Sequence, residues 1–208
     1  MKMIGVAVLT ALLSGCASPQ LETRDQWLAE SQRTYADRDP EQVIRAAEAV
    51  LTSADPGDVT FAHTNEGFTA TRVWSVYMVL AAVAGTDTFE FKATPSPQGT
   101  HTSLRVHQKA RGSDGNAAEG AVSMTATYRL FYNWLDYALG KGDEWITCDQ
   151  AEAKLKIANA GLANGLCAPG ITSRGANPVQ PREEWSKPSR LAPARPVSSR
   201  DQLKHRRP

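Results

Sequence analysis

The sequence predicts an α+β domain, in which an antiparallel sheet of about four to five strands is covered by two to three helices. Segments that alternate apolar and polar residues recur from Val59 to Lys109, which is typical of half-buried strands. Apolar residues at helical spacing precede and follow this region. When the two ends of the 208-residue chain are set aside, roughly 130 to 150 residues remain, enough for one hydrophobic core. We place this domain at residues 39–167.

Residues 1–15 have the outline of a secretory signal. Lys2 precedes an apolar run from Ile4 to Leu13, which is too short to span a membrane. The run ends in Leu13-Ser14-Gly15-Cys16. This motif resembles the lipobox of bacterial lipoprotein signal peptides, which implies that residues 1–15 are removed and that Cys16 receives diacylglycerol and an acyl chain on its amine. An ordinary exported protein with a chance cysteine is the alternative.

Ala17 bears on the destination of the chain. In the enterobacterial sorting rule of the lipoprotein family, an Asp directly after the lipidated Cys retains the protein at the inner membrane. Ala17 stands at that position. The resemblance therefore implies a protein anchored through Cys16 in the outer membrane and facing the periplasm.

Residues 16–38 are interpreted as the lipidated Cys and a polar tether. The segment has alternating charges and only two aromatic residues, Trp27 and Tyr35. Thr23 to Tyr35 has the composition of a marginal helix. Fully extended, such a tether reaches about 75 Å, so the domain need not lie on the membrane.

The first helix is predicted to begin at Asp39-Pro40-Glu41-Gln42. Asp39 caps it, Pro40 suits its first position, and Gln42 completes a capping box. The helix runs to about Thr52, before a break at Asp55-Pro56-Gly57-Asp58. Its apolar residues fall on one face: Val43, Ile44, Ala47, Val50 and Leu51.

The sheet region opens with a hairpin and a long apolar run. Val59 to Phe61 alternates, and Asn65-Glu66-Gly67 predicts a turn into Phe68-Thr69-Ala70-Thr71. The run from Val73 to Ala84 fits a buried strand or a buried helix, because periodicity does not distinguish the two. We favour one long, bent strand that ends at Gly85.

A second hairpin is predicted from two further alternating segments. Thr88 to Thr94 places Phe89, Phe91 and Ala93 on one face and Glu90 and Lys92 on the other, and Pro95–Gly99 forms a turn into a strand up to Lys109. His101 and His107 share a face but lie about 20 Å apart, too far for one metal ion. The basic strip of this strand is interpreted as a solvated face rather than an anion site, with Glu90 and Lys92 pairing across it: Arg105, His107, Lys109 and Arg111.

Gly112 to Gly120 is predicted to be a flexible loop before an aromatic helix. The main stripe of that helix has helical spacing: Met124, Tyr128, Phe131, Leu135 and Ala138. Leu130, Trp134 and Tyr137 widen it, and Gly140 ends it. Trp145-Ile146 is expected to add an edge strand, and Thr147–Gln150 to begin a last helix that continues to about Ala160.

Cys148 and Cys167 are the two cysteines that lipidation at Cys16 leaves over. An even pair in an oxidising compartment predicts a disulfide. Two free thiols or half of a metal site is the alternative, but no C-x-x-C spacing or nearby His supports it.

Residues 168–208 are predicted to be a basic, Pro-rich, disordered tail. They contain seven of the twelve Pro residues and no apolar periodicity. Nine Lys and Arg residues against three acidic ones give a net charge of +6, and the rest of the chain carries −5. The tail is expected either to contact an anionic surface or only to solubilise the protein, with Trp185 as a contact point.

No catalytic or phosphate-binding motif is present, and we expect no enzymatic activity, no cofactor, no metal and no nucleic-acid partner. The expected protein-interaction residues lie on the aromatic helix and in the tail: Tyr132, Trp134, Asp136, Arg182, Trp185, Lys187 and Arg190. The element order is loosely similar to modules in lipoproteins of outer-membrane assembly, secretion and conjugation machineries. The leading hypothesis is an accessory or scaffold lipoprotein of an envelope complex. The alternative is a lipoprotein that binds a small apolar or cell-wall ligand in a cavity lined by Phe89, Phe91 and Trp134.

Overall fold

The sheet is antiparallel and has six strands, which confirms the predicted α+β class. A computed structural model describes residues 23–54, 59–78, 81–155, 166–167, 179 and 181–186. The described strands are β1 (Gln32–Tyr35), β2 (Val59–Thr64), β3 (Gly67–Met78), β4 (Ala81–Ser96), β5 (Gly99–Gly112) and β6 (Ala117–Ala121). The described helices are α1 (Arg24–Glu30), α2 (Pro40–Ala54), α3 (Thr125–Ala138), α4 (Cys148–Leu155) and α5 (Glu183–Ser186).

The strand order is β1-β5-β4-β3-β2, and β6 also pairs with β5. The strands β1 and β6 therefore share one edge of β5: β1 pairs with its first residues, opposite Thr100 to Ser103, and β6 with its last, opposite His107 to Arg111. The predicted hairpins β2–β3 and β4–β5 are both present. One face of the sheet is covered by α2 and α3, and the other carries exposed polar side chains such as Glu90 and Arg105.

The start of α2 follows the predicted capping box. The Asp39 carboxylate accepts a hydrogen bond from the Gln42 N–H at 2.9 Å, and the Gln42 side chain accepts one from the Asp39 N–H at 3.2 Å. Capping of this kind satisfies N–H groups that have no partner within the helix. The helix ends at Ala54, two residues beyond the prediction, and residues 55–58 lie outside the described part of the chain.

Aromatic rings join the sheet to α3 in the core. Phe68 stacks on Phe91 with 5.4 Å between ring centroids, and Phe91 meets Phe131 at 5.7 Å. All three side chains are fully buried or nearly so. Burial of such rings contributes about 1.5 to 3 kcal/mol each, so the alternation predicted for β4 and the stripe predicted for α3 build the same core.

The polar tether predicted for residues 16–38 is wrong from Thr23 onward. Thr23 caps α1 through a capping box with Gln26, and the next residues form β1 on the edge of the sheet. Trp27 packs edge-on against Tyr128 with 6.0 Å between ring centroids. The marginal helix suggested for Thr23 to Tyr35 is present from Arg24 to Glu30. The four-residue strand that follows has too few residues for its alternation to stand out among the alternating charges.

The long bent strand predicted from Val73 to Ala84 is also wrong. The strand state is correct, but the run divides into the end of β3 and the beginning of β4, which pair from Val73 opposite Thr86 to Met78 opposite Ala81. Residues 79–80 lie outside the described part of the chain. We call residues 73–78 and 81–86 the arm. It is not buried: Val73 is 61% exposed and Tyr77 is 82% exposed.

The flexible loop predicted for Gly112 to Gly120 contains β6. A turn closed by a hydrogen bond from the Gly112 N–H to the Asn116 carbonyl, at 2.8 Å, leads into this strand. The strand sequence Ala117–Ala121 has no β-branched or aromatic residue, so composition does not reveal it. Pairing with β5, and not intrinsic preference, therefore makes it a strand.

Trp145 and Ile146 are buried but form no strand, contrary to prediction. The Ile146 carbonyl accepts a hydrogen bond from Trp134 Nε1 at 2.7 Å, and the Ile146 N–H donates to Asn133 Oδ1 at 3.0 Å. Side chains of α3 satisfy this backbone, so it needs no strand partner.

The disulfide between Cys148 and Cys167 is present, with 5.7 Å between the Cα atoms. It joins the first residue of α4 to residues 166–167. On the chain-entropy argument, closure of a loop of this length stabilises the fold by about 3 kcal/mol. The predicted continuation of α4 to Ala160 falls outside the described residues, because the last residue described there is Leu155.

The disorder predicted for residues 168–208 is wrong for 181–186. Trp185, on α5, is only 2% exposed, and α5 packs against α2. The Arg182 guanidinium lies 4.6 Å from the centre of the Trp185 ring. The expectation that Trp185 is a contact point for a partner is therefore wrong, because its large aromatic ring is buried in the core. Apart from Val179, the remainder of 168–208 lies outside the described part of the chain.

Candidate interaction surface at the open end of the sheet

The predicted interaction surface on α3 is not exposed. Tyr132 and Trp134 have no exposed surface. The Tyr132 hydroxyl donates to the Ser31 carbonyl at 3.1 Å, and Trp134 is stacked on Trp145 with 4.9 Å between ring centroids. The assignment of these two residues to a docking surface is therefore wrong, because both face the interior of the domain.

Asp136, the third residue predicted on α3, belongs to a polar cluster that joins β1 to α3. Its carboxylate accepts from Arg33 Nη1 at 2.7 Å and from the Tyr35 hydroxyl at 2.8 Å. Burial raises the pKa of Asp136, and the attraction of Arg33 and the hydrogen bond from Tyr35 only partly oppose this effect. Burial also raises the pKa of the Tyr35 hydroxyl well above its ordinary value. This cluster holds an edge strand in place.

A second polar cluster lies between the middle strands at the base of the arm. Arg72 is 3% exposed and Asp87 is fully buried, with 3.6 Å between Nη1 and Oδ2. Gln108 Nε2 donates to Asp87 Oδ1 at 2.9 Å. Burial raises the pKa of Asp87 against the opposing effects of Gln108 and Arg72. These contacts join β3, β4 and β5 side by side.

The residues that would line a ligand cavity form a closed core instead. Phe89 is 2% exposed, and Phe91 and Trp134 have no exposed surface. Phe91 lies between Phe68 and Phe131 in a continuous series of ring contacts. Side chains therefore fill the space in which the alternative hypothesis places a ligand, and this weighs against that hypothesis.

The arm is the first exposed feature of a candidate surface. No charged residue occurs from Val73 to Thr86. On its inner face the Trp74 ring lies over Gly85, where an added Cβ would come within 2.4 Å of Trp74 Cζ2. Gly85 therefore permits a close contact that braces β3 against β4. A shallow groove of about 240 Å³ runs beside Tyr77 and is also lined by Arg111.

The second exposed feature is β6, all five residues of which are exposed. The Val122 N–H, directly after β6, donates to the Val106 carbonyl of β5 at 2.8 Å. In an antiparallel pair, hydrogen-bonded and non-bonded positions alternate along the strand. The backbone groups of Val122 point towards β5, so those of every second residue before it do too. The backbone groups of Ala117, Glu119 and Ala121 therefore point away from β5. We call the arm together with β6 the open end of the sheet.

The basic strip on β5 is exposed, as predicted for a solvated face. Lys109 pairs with Glu119 of β6 at 3.2 Å, and Glu90 lies directly opposite Arg105 in the register. Lys92 pairs instead with Glu66, with 4.0 Å between Nζ and Oε2. The strip is thus partly neutralised by acidic neighbours.

Within the described ranges, no three His, Cys, Asp or Glu side chains come together as a metal site requires. No helix among the described residues is long and apolar enough to span a membrane. Cys16, Lys187 and Arg190, which were predicted to be functional, lie outside the described residues.

Comparison with known proteins gives no family. No protein family model, no curated protein and no solved structure matches this chain. We therefore infer the function from the sequence and from the geometry of the open end.

Proposed function

We propose that this chain is a non-enzymatic lipoprotein that acts as an accessory or scaffold subunit of an envelope complex of the assembly, secretion or conjugation type. It is anchored through Cys16 in the outer membrane and faces the periplasm. The exposed edge of β6 carries this proposal, because such an edge offers unpaired backbone groups to another protein. The surplus of basic residues from 168 to 208 further supports a contact with anionic lipid or wall polymer.

The partner in this proposal adds an extended segment to the sheet beside β6. Four of the five β6 side chains are Ala or Gly, so a second backbone can approach closely along the strand. Natural edge strands are commonly protected by Lys, Pro or a bulge, and the sequence of β6 has neither Lys nor Pro. Glu119 is its only charged residue, and Lys109 already pairs with it.

Substitution of Ala121 tests the open edge. Ala121→Pro removes an N–H that points away from β5, so the domain should fold normally and lose partner binding. Ala121→Val keeps the N–H and should bind as the unmodified chain does. A photo-crosslinking residue at position 119 of the full-length chain, in living cells, measures the contact. We expect one defined adduct with the unmodified sequence at position 121, and a yield lower by about tenfold or more with Ala121→Pro. Each lost hydrogen bond contributes about 0.5 to 1.5 kcal/mol, and the neighbouring hydrogen bonds weaken with it. An adduct of equal yield in both variants would contradict strand addition.

Cys16→Ser tests the anchor. This substitution should abolish processing before residue 16 and prevent recovery of a mature, acylated form in the detergent phase. Each buried acyl methylene contributes about 0.8 kcal/mol to membrane binding, so a multiply acylated chain is held firmly. Mass analysis of the N-terminal peptide measures the outcome. If the variant stays membrane-bound after cleavage at another position, the anchor is not at Cys16.

A further inference from the structure

The described chain begins at the same end of the domain as the arm. Along α1, Glu30 pairs with Arg129 at 2.8 Å, and Trp27, further towards the N terminus, contacts Tyr128. The Tyr128 hydroxyl donates to the Val122 carbonyl at 2.6 Å, just where β6 ends and α3 begins. Followed from Glu30 back to its N terminus, α1 therefore approaches the start of α3. The start of α3 adjoins the open end.

The length of chain before Thr23 limits how far the domain can lie from a bilayer. Six residues lie between Cys16 and Thr23 in the sequence, and the seven Cα–Cα steps that join the two residues span at most about 25 Å. This limit is far shorter than the reach expected of a tether that continued to residue 38, because α1 and β1 belong to the domain.

The arm extends along the strand axis, on the side of the domain where the described chain begins, by a distance similar to the span of the residues before Thr23. Ala70, Phe89 and Val106 lie side by side on β3, β4 and β5. The Val106 N–H donates to the Tyr128 hydroxyl, so Tyr128 lies beside this row of residues. Tyr77 is seven residues beyond Ala70 on β3, or about 23 Å further along the strand. A bilayer that holds Cys16 is therefore within reach of the end of the arm.

The surface of the arm suits the interfacial layer of a bilayer. Val73 and Tyr77 project from the same face of β3 and are the large apolar side chains that are exposed among the described residues. Tyr is favoured at membrane interfaces because its ring enters the apolar layer while its hydroxyl remains hydrated. The uncharged stretch continues to Thr86, and Lys109 and Arg111 follow on the neighbouring strand, opposite Thr86 and Ala84.

We propose that the arm lies in the interfacial layer of the bilayer that holds Cys16, with Tyr77 at the level of the lipid headgroups. This inference depends on the proposed anchor at Cys16. The short connection places every copy of the domain beside lipid at all times, and it is this proximity that favours lipid over a second copy of the chain as the occupant. The contact fixes the orientation of the sheet, so that the edge of β6, which begins beside the arm, is held at a constant position relative to the membrane surface.

Site-specific fluorescence in vesicles tests this proposal on the full-length, lipidated protein. Tyr77→Cys supplies the one free thiol for an environment-sensitive dye, because the Cys16 sulfur carries diacylglycerol in the proposed anchor and Cys148 is bonded to Cys167. Tyr77 is 82% exposed, so the label leaves the core intact. Lys92→Cys is the matched control, since Lys92 lies on the same face of the sheet but opposite Gly67, at the far end of β3. Vesicles of phosphatidylethanolamine and phosphatidylglycerol carry a quencher on the lipid chains near the headgroups.

We expect the dye at position 77 to shift to the blue and to be quenched several times more strongly than the dye at position 92. Equal, water-like emission at both positions in a protein shown by mass to be acylated would overturn the membrane contact and leave the proposed function intact. A protein without the acyl group would overturn both. Self-crosslinking through position 77, or shielding that appears only when other envelope proteins are added, would assign the arm to a second copy or to a protein and would likewise overturn the proposal.

Discussion

Asp136 illustrates how a residue predicted to bind a partner instead holds the fold together. Its side chain is 21% exposed, and it contacts Arg33 and Tyr35, which lie about one hundred residues earlier in the chain. The main apolar stripe predicted for α3 does not include Asp136, in agreement with its partly exposed side chain. Spacing alone does not reveal that a distant strand covers that side of α3.

The raised pKa of Asp136 predicts a particular dependence of stability on pH. Because the folded state holds the proton more tightly than the unfolded state, the contribution of this group is fully present below its ordinary pKa and is lost as pH rises through the raised value. The free energy of unfolding of the unmodified chain, relative to Asp136→Asn, should therefore be highest near pH 4 and decrease towards pH 7. Urea unfolding at several pH values measures this difference.

A parallel series with Glu152→Gln, at an exposed position of α4, shows whether the trend is specific to Asp136. A difference between the unmodified chain and Asp136→Asn that increases with pH would mean that the attraction of Arg33 outweighs the cost of burying the carboxylate.

Tyr132 and Trp134 likewise show that helical spacing does not reveal which other segments cover a helix. Tyr132 lies off the main apolar stripe of α3, and burial of Phe131 predicts that Trp134 is not fully buried, so the sequence predicts an interaction role for both. The sheet covers one side of α3, and Ser31 and the segment around Trp145 cover others. The Tyr132 hydroxyl and the Trp134 N–H both donate to backbone carbonyls. Partners of this kind are not revealed by the spacing of residues along a helix.

Among the elements, α5 makes the clearest prediction. This four-residue helix brings Trp185 into the core against α2. Trp185→Ala should lower the free energy of unfolding by about 3 to 5 kcal/mol, because the space left by the indole is only partly refilled. Denaturant unfolding of the full-length variant gives the value directly.

Two truncations separate this contribution from that of the remaining tail. A chain that ends after Cys167 should lose about as much stability as Trp185→Ala, whereas a chain that ends after Ser186 keeps the indole and should lose much less. If removal of everything after Cys167 leaves the melting temperature unchanged, α5 contributes nothing in solution.

The elements that were predicted correctly share a local cause. The capping box at Asp39 and the alternation from Thr88 to Thr94 each depend on a few neighbouring residues, and both are present as predicted. The strands that were missed, β1 and β6, are short and depend on pairing with β5. The arm differs from its prediction for another reason: an apolar run of its length usually indicates burial, but Tyr77 is 82% exposed.

Across the whole molecule, the exposed features gather at one end. The helix-covered part of the sheet carries the aromatic core, while the arm extends β3 and β4 beyond it and β6 pairs with the last residues of β5. The sequence does contain a signal for this division, because the run from Val73 to Thr86 is uncharged yet includes Tyr77 and Ser75 among its apolar residues. Composition alone predicts an apolar segment, and only the fold shows which of its sides faces outward.

The pairing of β1 with β5 also constrains the order of events during synthesis. Gln32 lies opposite Ser103, about seventy residues later in the chain, so the edge position of β1 does not exist until β5 has emerged and paired with β4. Closing so long a loop comes late in folding, because its entropy is lost before any contact compensates. In the proposed lipoprotein, the N-terminal segment would therefore remain undocked, and Cys16 accessible to modification, until β5 has paired.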